Sequence, residues 1–267
     1  MVVARKRFGQ HFLEPAWVDK VVRAIEPKPD DRFIEIGPGG GALTRPLAAR
    51  AAAVVAYEID RDLAASLRGA RIRNLTVVEG DFLDPAMSPP PPEPPGPVRV
   101  AGNLPYNVAS PILFKLADLY AAGLPIADAT VMLQREVADR LAAKPGTGEY
   151  GVLSVLMQHV ADVELLLKLP AGAFRPAPKV LSALVRLRFH APDPRVGDPI
   201  VFAAVVQAVF TRRRKTLANA LLAYEPLGRE AVADVLSAAR LDGRRRPETL
   251  TVAEFARLAD ALSRRDV

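Results

Sequence analysis

The chain of 267 residues contains no cysteine and only three histidines. The first absence excludes disulfides, thiolate metal sites and a cysteine nucleophile. His11, His159 and His190 stand too far apart in sequence to share metal-ligand spacing, so no metal centre is expected. There is also no secretory h-region and no run of 18 apolar residues. A cytoplasmic protein with no membrane partner is the expectation. What is present is a globular composition, 50% hydrophobic and 25% charged, long enough to bury a full core. The net charge of +6 and pI near 9.8 fit a nucleic-acid partner. Residues 195–267 hold 13 Lys and Arg against 9 Asp and Glu, so most of the excess charge sits in the last quarter.

Residues 98–107, Val-Arg-Val-Ala-Gly-Asn-Leu-Pro-Tyr-Asn, form an apolar run that stops at Asn103-Leu104-Pro105-Tyr106. A buried strand here would deliver a polar side chain, a rigid turn and an aromatic ring to one point. Each suits methyl transfer to the exocyclic nitrogen of a planar base, a poor nucleophile because its lone pair is delocalised into the ring. Two acceptors, the Asn103 side-chain oxygen and the Leu104 carbonyl, would hold its two N–H groups and favour a pyramidal nitrogen. Pro105 fixes its own φ and biases Leu104 towards an extended backbone. Tyr106 offers a stacking face for a base taken out of its own stack. The competing reading of these four residues is a strand-ending turn with a half-packed tyrosine.

Phe33-Ile34-Glu35-Ile36 runs into Gly37-Pro38-Gly39-Gly40-Gly41 and then a helical pattern over 42–50, the strand, glycine loop and helix of a nucleotide site. A second strand, 54–57, ends at Glu58, placed to accept hydrogen bonds from ribose hydroxyls. Gly37, Gly39 and Ala42 also satisfy G-x-G-x-x-A, so a nicotinamide or flavin oxidoreductase competes. Three features favour S-adenosylmethionine. Glu35 puts an anion just before the loop, where a pyrophosphate gains nothing from it. A third strand, 75–78, leads to Gly80-Asp81-Phe82, a carboxylate for an adenine amino group with an aromatic neighbour. A hydride-transfer enzyme has no evident use for Asn-Leu-Pro-Tyr. Taken alone, Asp81 also reads as a turn or helix cap.

Eight prolines within residues 85–97 exclude a helix or interior strand and predict a stiff, exposed connector. Ahead of the first strand, Pro15 opens a helix over 16–25. After Tyr106 the pattern reads helix 110–119, strand 129–133, a helix from 134 to near 144, helix 151–159, strand 160–169 and a last strand 183–189. This alternation predicts an α/β fold with a mostly parallel, doubly wound sheet. Between the last two strands, Phe174-Arg175-Pro176-Ala177-Pro178-Lys179-Val180-Leu181-Ser182 makes a rigid loop. Lys179 suits a phosphate, and Phe174 reads either as gripping a flipped base against Tyr106 or as plain core packing. Prolines and a glycine from 190 to 199 mark a linker, and beyond it only helical periodicity remains. The chain is thus expected to divide into 1–194 and a small basic all-α domain, 195–267. Arg212-Arg213-Arg214-Lys215 and Arg244-Arg245-Arg246 there, with Arg5, Lys6 and Arg7 near the start, are expected to meet RNA phosphates.

Gly9-Gln10-His11-Phe12-Leu13, Glu35-Ile36-Gly37-Pro38-Gly39, Glu58-Ile59-Asp60, Gly80-Asp81, Gly102-Asn103-Leu104-Pro105-Tyr106, the Phe174–Ser182 motif and Arg213-Arg214-Lys215-Thr216 occur in one order. In that combination the chain resembles the KsgA-type ribosomal RNA adenine dimethyltransferases, relatives of the Erm resistance methylases, along nearly its whole length. The resemblance implies a Rossmann-like class I methyltransferase fold and S-adenosylmethionine as donor. It implies N6,N6-dimethylation of two adjacent adenosines near the 3′ end of small-subunit rRNA, on an assembling 30S particle. A monomer is expected. By position it implies donor contacts at His11, Leu13, Gly37, Gly39, Glu58, Asp81, Phe82 and Asn103, and a base pocket of Asn103, Leu104, Pro105, Tyr106 and Phe174. His11 stands where many members have Asn, and the Pro-rich loop is an insertion to which nothing transfers. An Erm-type large-subunit target is the alternative within the family, against which the basic tail and Arg-Arg-Lys-Thr speak. A catalytically silent RNA-binding assembly factor on the same fold is a further reading.

Overall fold

In a computed structural model of the chain, residues 10–87, 89, 95–225 and 227–264 are described. Arg5, Lys6 and Arg7 lie outside them, as does most of the proline run. Two compact units emerge. The first comprises the chain up to Ala138 with Asp162–Phe189, and the second Asp139–Ala161 with the chain from His190 on.

The first unit begins with β1 (Phe12–Leu13) and α1 (Pro15–Ile25). Then follow β2 (Arg32–Ile36), α2 (Thr44–Ala48), β3 (Ala53–Glu58), α3 (Arg61–Gly69), β4 (Leu75–Glu79), β5 (Val98–Asn103), α4 (Ala109–Ala121) and β6 (Ile126–Gln134). After α5 (Arg135–Leu141) and α6 (Val152–Gln158) come β7 (Ala161–Leu169), β8 (Phe174–Arg175) and β9 (Ser182–Phe189). Seven strands form one sheet in the order β4-β3-β2-β5-β6-β9-β7. The first five are parallel and β9 runs antiparallel to β6. This is the mostly parallel, doubly wound sheet expected from the alternation. β3 and β5 flank β2 on opposite sides, so the chain leaves the centre of the sheet in two directions and opens a crevice beyond the strand ends.

Helix α1 has Pro15 in its first turn and buries Val21, Val22 and Ile25 in a core with Phe33, Leu47, Val54, Met132 and Leu184. Its last carbonyls lack helical partners and are taken by two arginines. Arg99, held by Asp31 at 2.7 Å and Asp128 at 3.0 Å, donates to Ile25 and Glu26. The buried Arg186 donates to Ala24. That anchorage fixes a helix whose first turn faces the crevice.

The second unit gathers α6, α7 (Pro199–Thr211), α8 (Leu217–Leu221), α9 (Val232–Ala238) and α10 (Val252–Ser263) around Phe202, Val209, Leu221, Phe255 and Leu258. Asp198 caps α7, and Thr251 with Glu254 forms a capping box on α10. The sequence boundary after residue 194 is corrected here. Residues 139–161, read from periodicity as part of the sheet domain, belong to the helical unit because Tyr150 and Val155 are fully buried in its core. Among the described residues no helix is long and apolar enough to cross a membrane, and no His, Asp or Glu group could hold a metal ion.

Candidate active site

The crevice beyond the parallel strands opens into a cavity of about 1150 Å³. Its walls are the glycine loop 37–41 after β2, Glu58 and Ile59 after β3, Asn103–Tyr106 after β5, residues 10–15 with β1, and Arg175-Pro176 after β8. The first turn of α1 closes one side through Val18 and Asp19.

Tight backbone turns make the loop. Gly37, Gly39 and Gly41 all have positive φ, which side chains with a Cβ rarely adopt. A methyl group on Gly39 would also sit 3.0 Å from the Phe12 ring. Glu58 braces this loop from the next strand. Its carboxylate accepts from the Gly39 N–H and the Asp60 N–H, both at 2.9 Å. Burial raises its pKa despite these bonds. Glu35, 1% exposed, has an oxygen with no hydrogen-bond partner among the described residues. Burial, with Glu58 adding its charge, raises its pKa to about 8. A buried carboxyl with an unmet oxygen at a cavity wall suits a cationic ligand, and the glycine cradle leaves room for one.

At the end of β5, Gly102 permits a close approach that no other residue could make. A Cβ there would lie 2.5 Å from the Ile36 carbonyl. Asn103 follows, and its Nδ2 donates to the His11 carbonyl at 2.6 Å. A carbonyl can only accept, so the amide orientation is fixed by chemistry and Oδ1 faces away from His11. The Leu104 N–H is tied to Met132 of β6, and the Leu104 side chain is buried. Among the described residues, nothing donates to Asn103 Oδ1 or to the Leu104 carbonyl, and both residues line the cavity. Tyr106 is anchored through its hydroxyl to the buried Ser182 at 2.6 Å, and its ring stacks on His11 at 5.4 Å and 22°. His11 in turn donates from Nδ1 to the Pro176 carbonyl at 2.7 Å.

The expected site residues therefore divide. His11, Leu13, Gly37, Gly39, Glu58, Asn103, Leu104, Pro105 and Tyr106 converge on one cavity. Phe174 does not, which corrects its reading as a base clamp. In the β1–β8 pair Leu13 lies opposite Phe174 and Phe12 opposite Arg175. Phe174 packs beside Leu13 in the core, where it is 3% exposed, and of the pair only Leu13 also borders the cavity. The ring beside Tyr106 is instead His11.

Asp81 and Phe82 also fall outside the cavity wall. Asp81 Oδ1 accepts from the Leu83 N–H and closes a turn, while Phe82 is buried edge-on against Tyr57. Sequence reasoning missed Ile59 and Ser182. The first was within reach, since a residue just past a strand end faces the same crevice as Glu58. The second depends on a long-range contact.

Lys179 is exposed on the loop after β8. In the second unit Arg212, Arg214, Lys215, Arg244 and Arg246 are exposed. One expected phosphate contact is corrected. Arg245 is committed to Glu254 through both terminal nitrogens and to Thr249. Arg245 is therefore not presented to a ligand, because its guanidinium satisfies acceptors of its own unit. Arg213 donates one N–H to the Gly148 carbonyl, as Arg212 does to the Asn219 carbonyl, and both keep further N–H groups.

Comparisons with known proteins agree with this geometry. A family model described as ribosomal RNA adenine dimethylase matches residues 1–261. The chain is 44% identical over 263 residues to ribosomal RNA small subunit methyltransferase A of Acinetobacter baylyi, covering 97% of this chain and 92% of that protein. It is 46% identical over 264 residues to the protein of the same name from Chromohalobacter salexigens, covering 96% and 90%. Among solved structures, the 23S rRNA methyltransferase ErmE is 32% identical, with TM-score 0.66 over 94% of this chain and 99% of that one. A dimethyladenosine transferase from Plasmodium falciparum, at 24% identity, shares the fold with TM-score 0.79 over 96% and 99%. With a matching model across nearly its full length and relatives well above 40% identity, the chain belongs to the ribosomal RNA adenine dimethylase family.

Proposed function

We propose that the protein transfers methyl groups from S-adenosylmethionine to N6 of two adjacent adenosines near the 3′ end of small-subunit rRNA, late in subunit assembly. The observation that carries this reading is the pair of acceptors at the end of β5. The Asn103 amide is pinned by its own N–H to His11, so its oxygen and the Leu104 carbonyl both remain available at the cavity. An adenine amino group offers two N–H donors, the complement of that pair. Holding both would orient the amine and leave its lone pair free without a strong general base.

The remaining residues have matching roles. When bound, S-adenosylmethionine supplies an electrophilic methyl on a positively charged sulfur. Gly37, Gly39 and Gly41 let the backbone approach the donor, Glu58 accepts from its ribose hydroxyls, and the donor's positive charge favours ionisation of the buried Glu35, which then pairs with it. Tyr106, fixed by Ser182, presents a face to the target base. The exposed cations Arg212, Arg214, Lys215, Arg244, Arg246 and Lys179 take the rRNA backbone, the second unit supplying most of them. The relatives named for the small subunit are closer in sequence than ErmE, which supports that substrate over a large-subunit one.

The test is labelled methyl transfer from S-adenosylmethionine to small subunits lacking the modification, with nucleoside analysis of the product. Dimethyladenosine near the 3′ end of the small-subunit rRNA is expected. Label only in large-subunit rRNA, or none above background, overturns the proposal.

A further inference from the structure

Five large hydrophobic side chains are exposed among the described residues, and three of them are Ile59, Val180 and Leu181. Ile59 is on the cavity wall. Val180, 44% exposed, and Leu181, 58% exposed, stand next to each other on the loop that leaves the cavity at Arg175-Pro176. Isolated exposed aliphatics need no explanation, but two adjacent ones on a loop that starts at the cavity wall and ends at the anchor of Tyr106 are a different matter.

The loop that carries them is fixed. Pro178 is buried, the Pro176 carbonyl is held by His11, and the Leu181 carbonyl accepts from the Arg135 N–H at 2.9 Å. The next residue, Ser182, turns inward and bonds the Tyr106 hydroxyl. Val180 and Leu181 thus directly precede the anchor of the stacking ring, on a loop held by hydrogen bonds at Pro176, Leu181 and Ser182. Beside them Lys179 is exposed and has no ion-pair partner among the described residues, which places a cation suited to phosphate at the same edge.

We propose that Val180 and Leu181 form an apolar edge against which the nucleobase next to the target adenosine packs once the target has left its stack, with Lys179 holding the adjoining phosphate. The inference rests on the proposed function and extends it to the flanking nucleotide. Extruding a base exposes the faces of its neighbours, and proteins that separate bases cover such faces with aliphatic wedges. The edge would act on RNA positioning and leave the acceptor pair untouched.

The test uses unmethylated small subunits whose rRNA carries 2-aminopurine beside the target adenosine, with Val180→Ala/Leu181→Ala, Leu181→Met and wild-type protein. The double variant is expected to raise KM for the particle by about tenfold, from the lost apolar contact, with S-adenosylmethionine affinity unchanged. It should also leave 2-aminopurine fluorescence altered from that of the wild-type complex. Leu181→Met, which keeps an apolar side chain of similar size, should retain wild-type KM and fluorescence. A double variant with wild-type KM and fluorescence overturns the proposal. So does an equal loss of S-adenosylmethionine affinity, which marks a general disturbance of the fold. If the wild-type protein itself transfers no methyl to the particle, the functional reading fails instead, and the two failures are distinct.

Discussion

Replacing Asn103 tests the acceptor pair most directly, because this side chain has two separable jobs. Its oxygen is offered to the cavity, and its nitrogen anchors the arm that carries His11. Asn103→Ala removes both. Loss of one preorganised acceptor in a dry site costs on the order of 10²–10³ in turnover, about 2.7–4 kcal/mol. The orphaned His11 carbonyl adds a penalty of about 1–3 kcal/mol to the arm. The arm should stay in place, since β1 keeps its pairing with β8.

Asn103→Asp separates the two jobs. It keeps an oxygen on the cavity side but turns another oxygen towards the His11 carbonyl, acceptor against acceptor. The expected loss is about 10²-fold in turnover even though an acceptor remains. The assay is single-turnover methyl transfer to unmethylated small subunits, with donor affinity measured separately by calorimetry. An Ala variant within about threefold of wild-type turnover refutes the acceptor role. An Asp variant as active as wild type refutes the anchoring role while sparing the first.

Other consequences are as specific. Gly102→Ala places a methyl 2.5 Å from the Ile36 carbonyl and must part β2 from β5, so a loss of about 1–3 kcal/mol is expected in denaturant unfolding, along with reduced transfer. An unchanged unfolding midpoint would contradict that contact. Glu35 sits near 8 when folded against an ordinary 4.5, so folding favours its protonated form and stability falls as pH rises between those values, by up to about 1.4 kcal/mol per pH unit. Glu35→Gln should flatten the profile of Tm against pH over that window while weakening donor binding; an unaltered slope removes Glu35 as its source. Glu254 is held below its ordinary value by Arg245, so its contribution is present above that value and lost as pH falls through the lower folded one. The acid-side drop in Tm should be shallower in Glu254→Gln, and a drop as steep as that of wild type argues that the pair is not responsible.

The sequence was most informative where chemistry depends on neighbours in the chain. Glu35 before the glycine loop, Glu58 ending the next strand and Asn103-Leu104-Pro105-Tyr106 ending β5 are each local signals, and parallel strands bring their ends to one edge of the sheet. The helix opened by Pro15 is equally local.

Periodicity fails where the partner is distant. Residues 139–161 look alike as part of either unit until Tyr150 and Val155 are seen in the helical core. Arg245 reads as a member of a basic run, since nothing in the run says that Glu254 has claimed its guanidinium and not that of Arg244 or Arg246.

What the sequence determined by itself is the order of elements, the glycine-lined crevice and the residue types at its rim, because strand and turn preferences act over a few positions. Only the tertiary structure decided that Phe174 faces the core and that His11 takes the place beside Tyr106. It alone decided that the Asn103 amide is oriented by a carbonyl 92 positions away in the chain. Side-chain direction in those cases is set by strand register and by a hydrogen-bond partner far along the chain, and neither leaves a mark on local spacing.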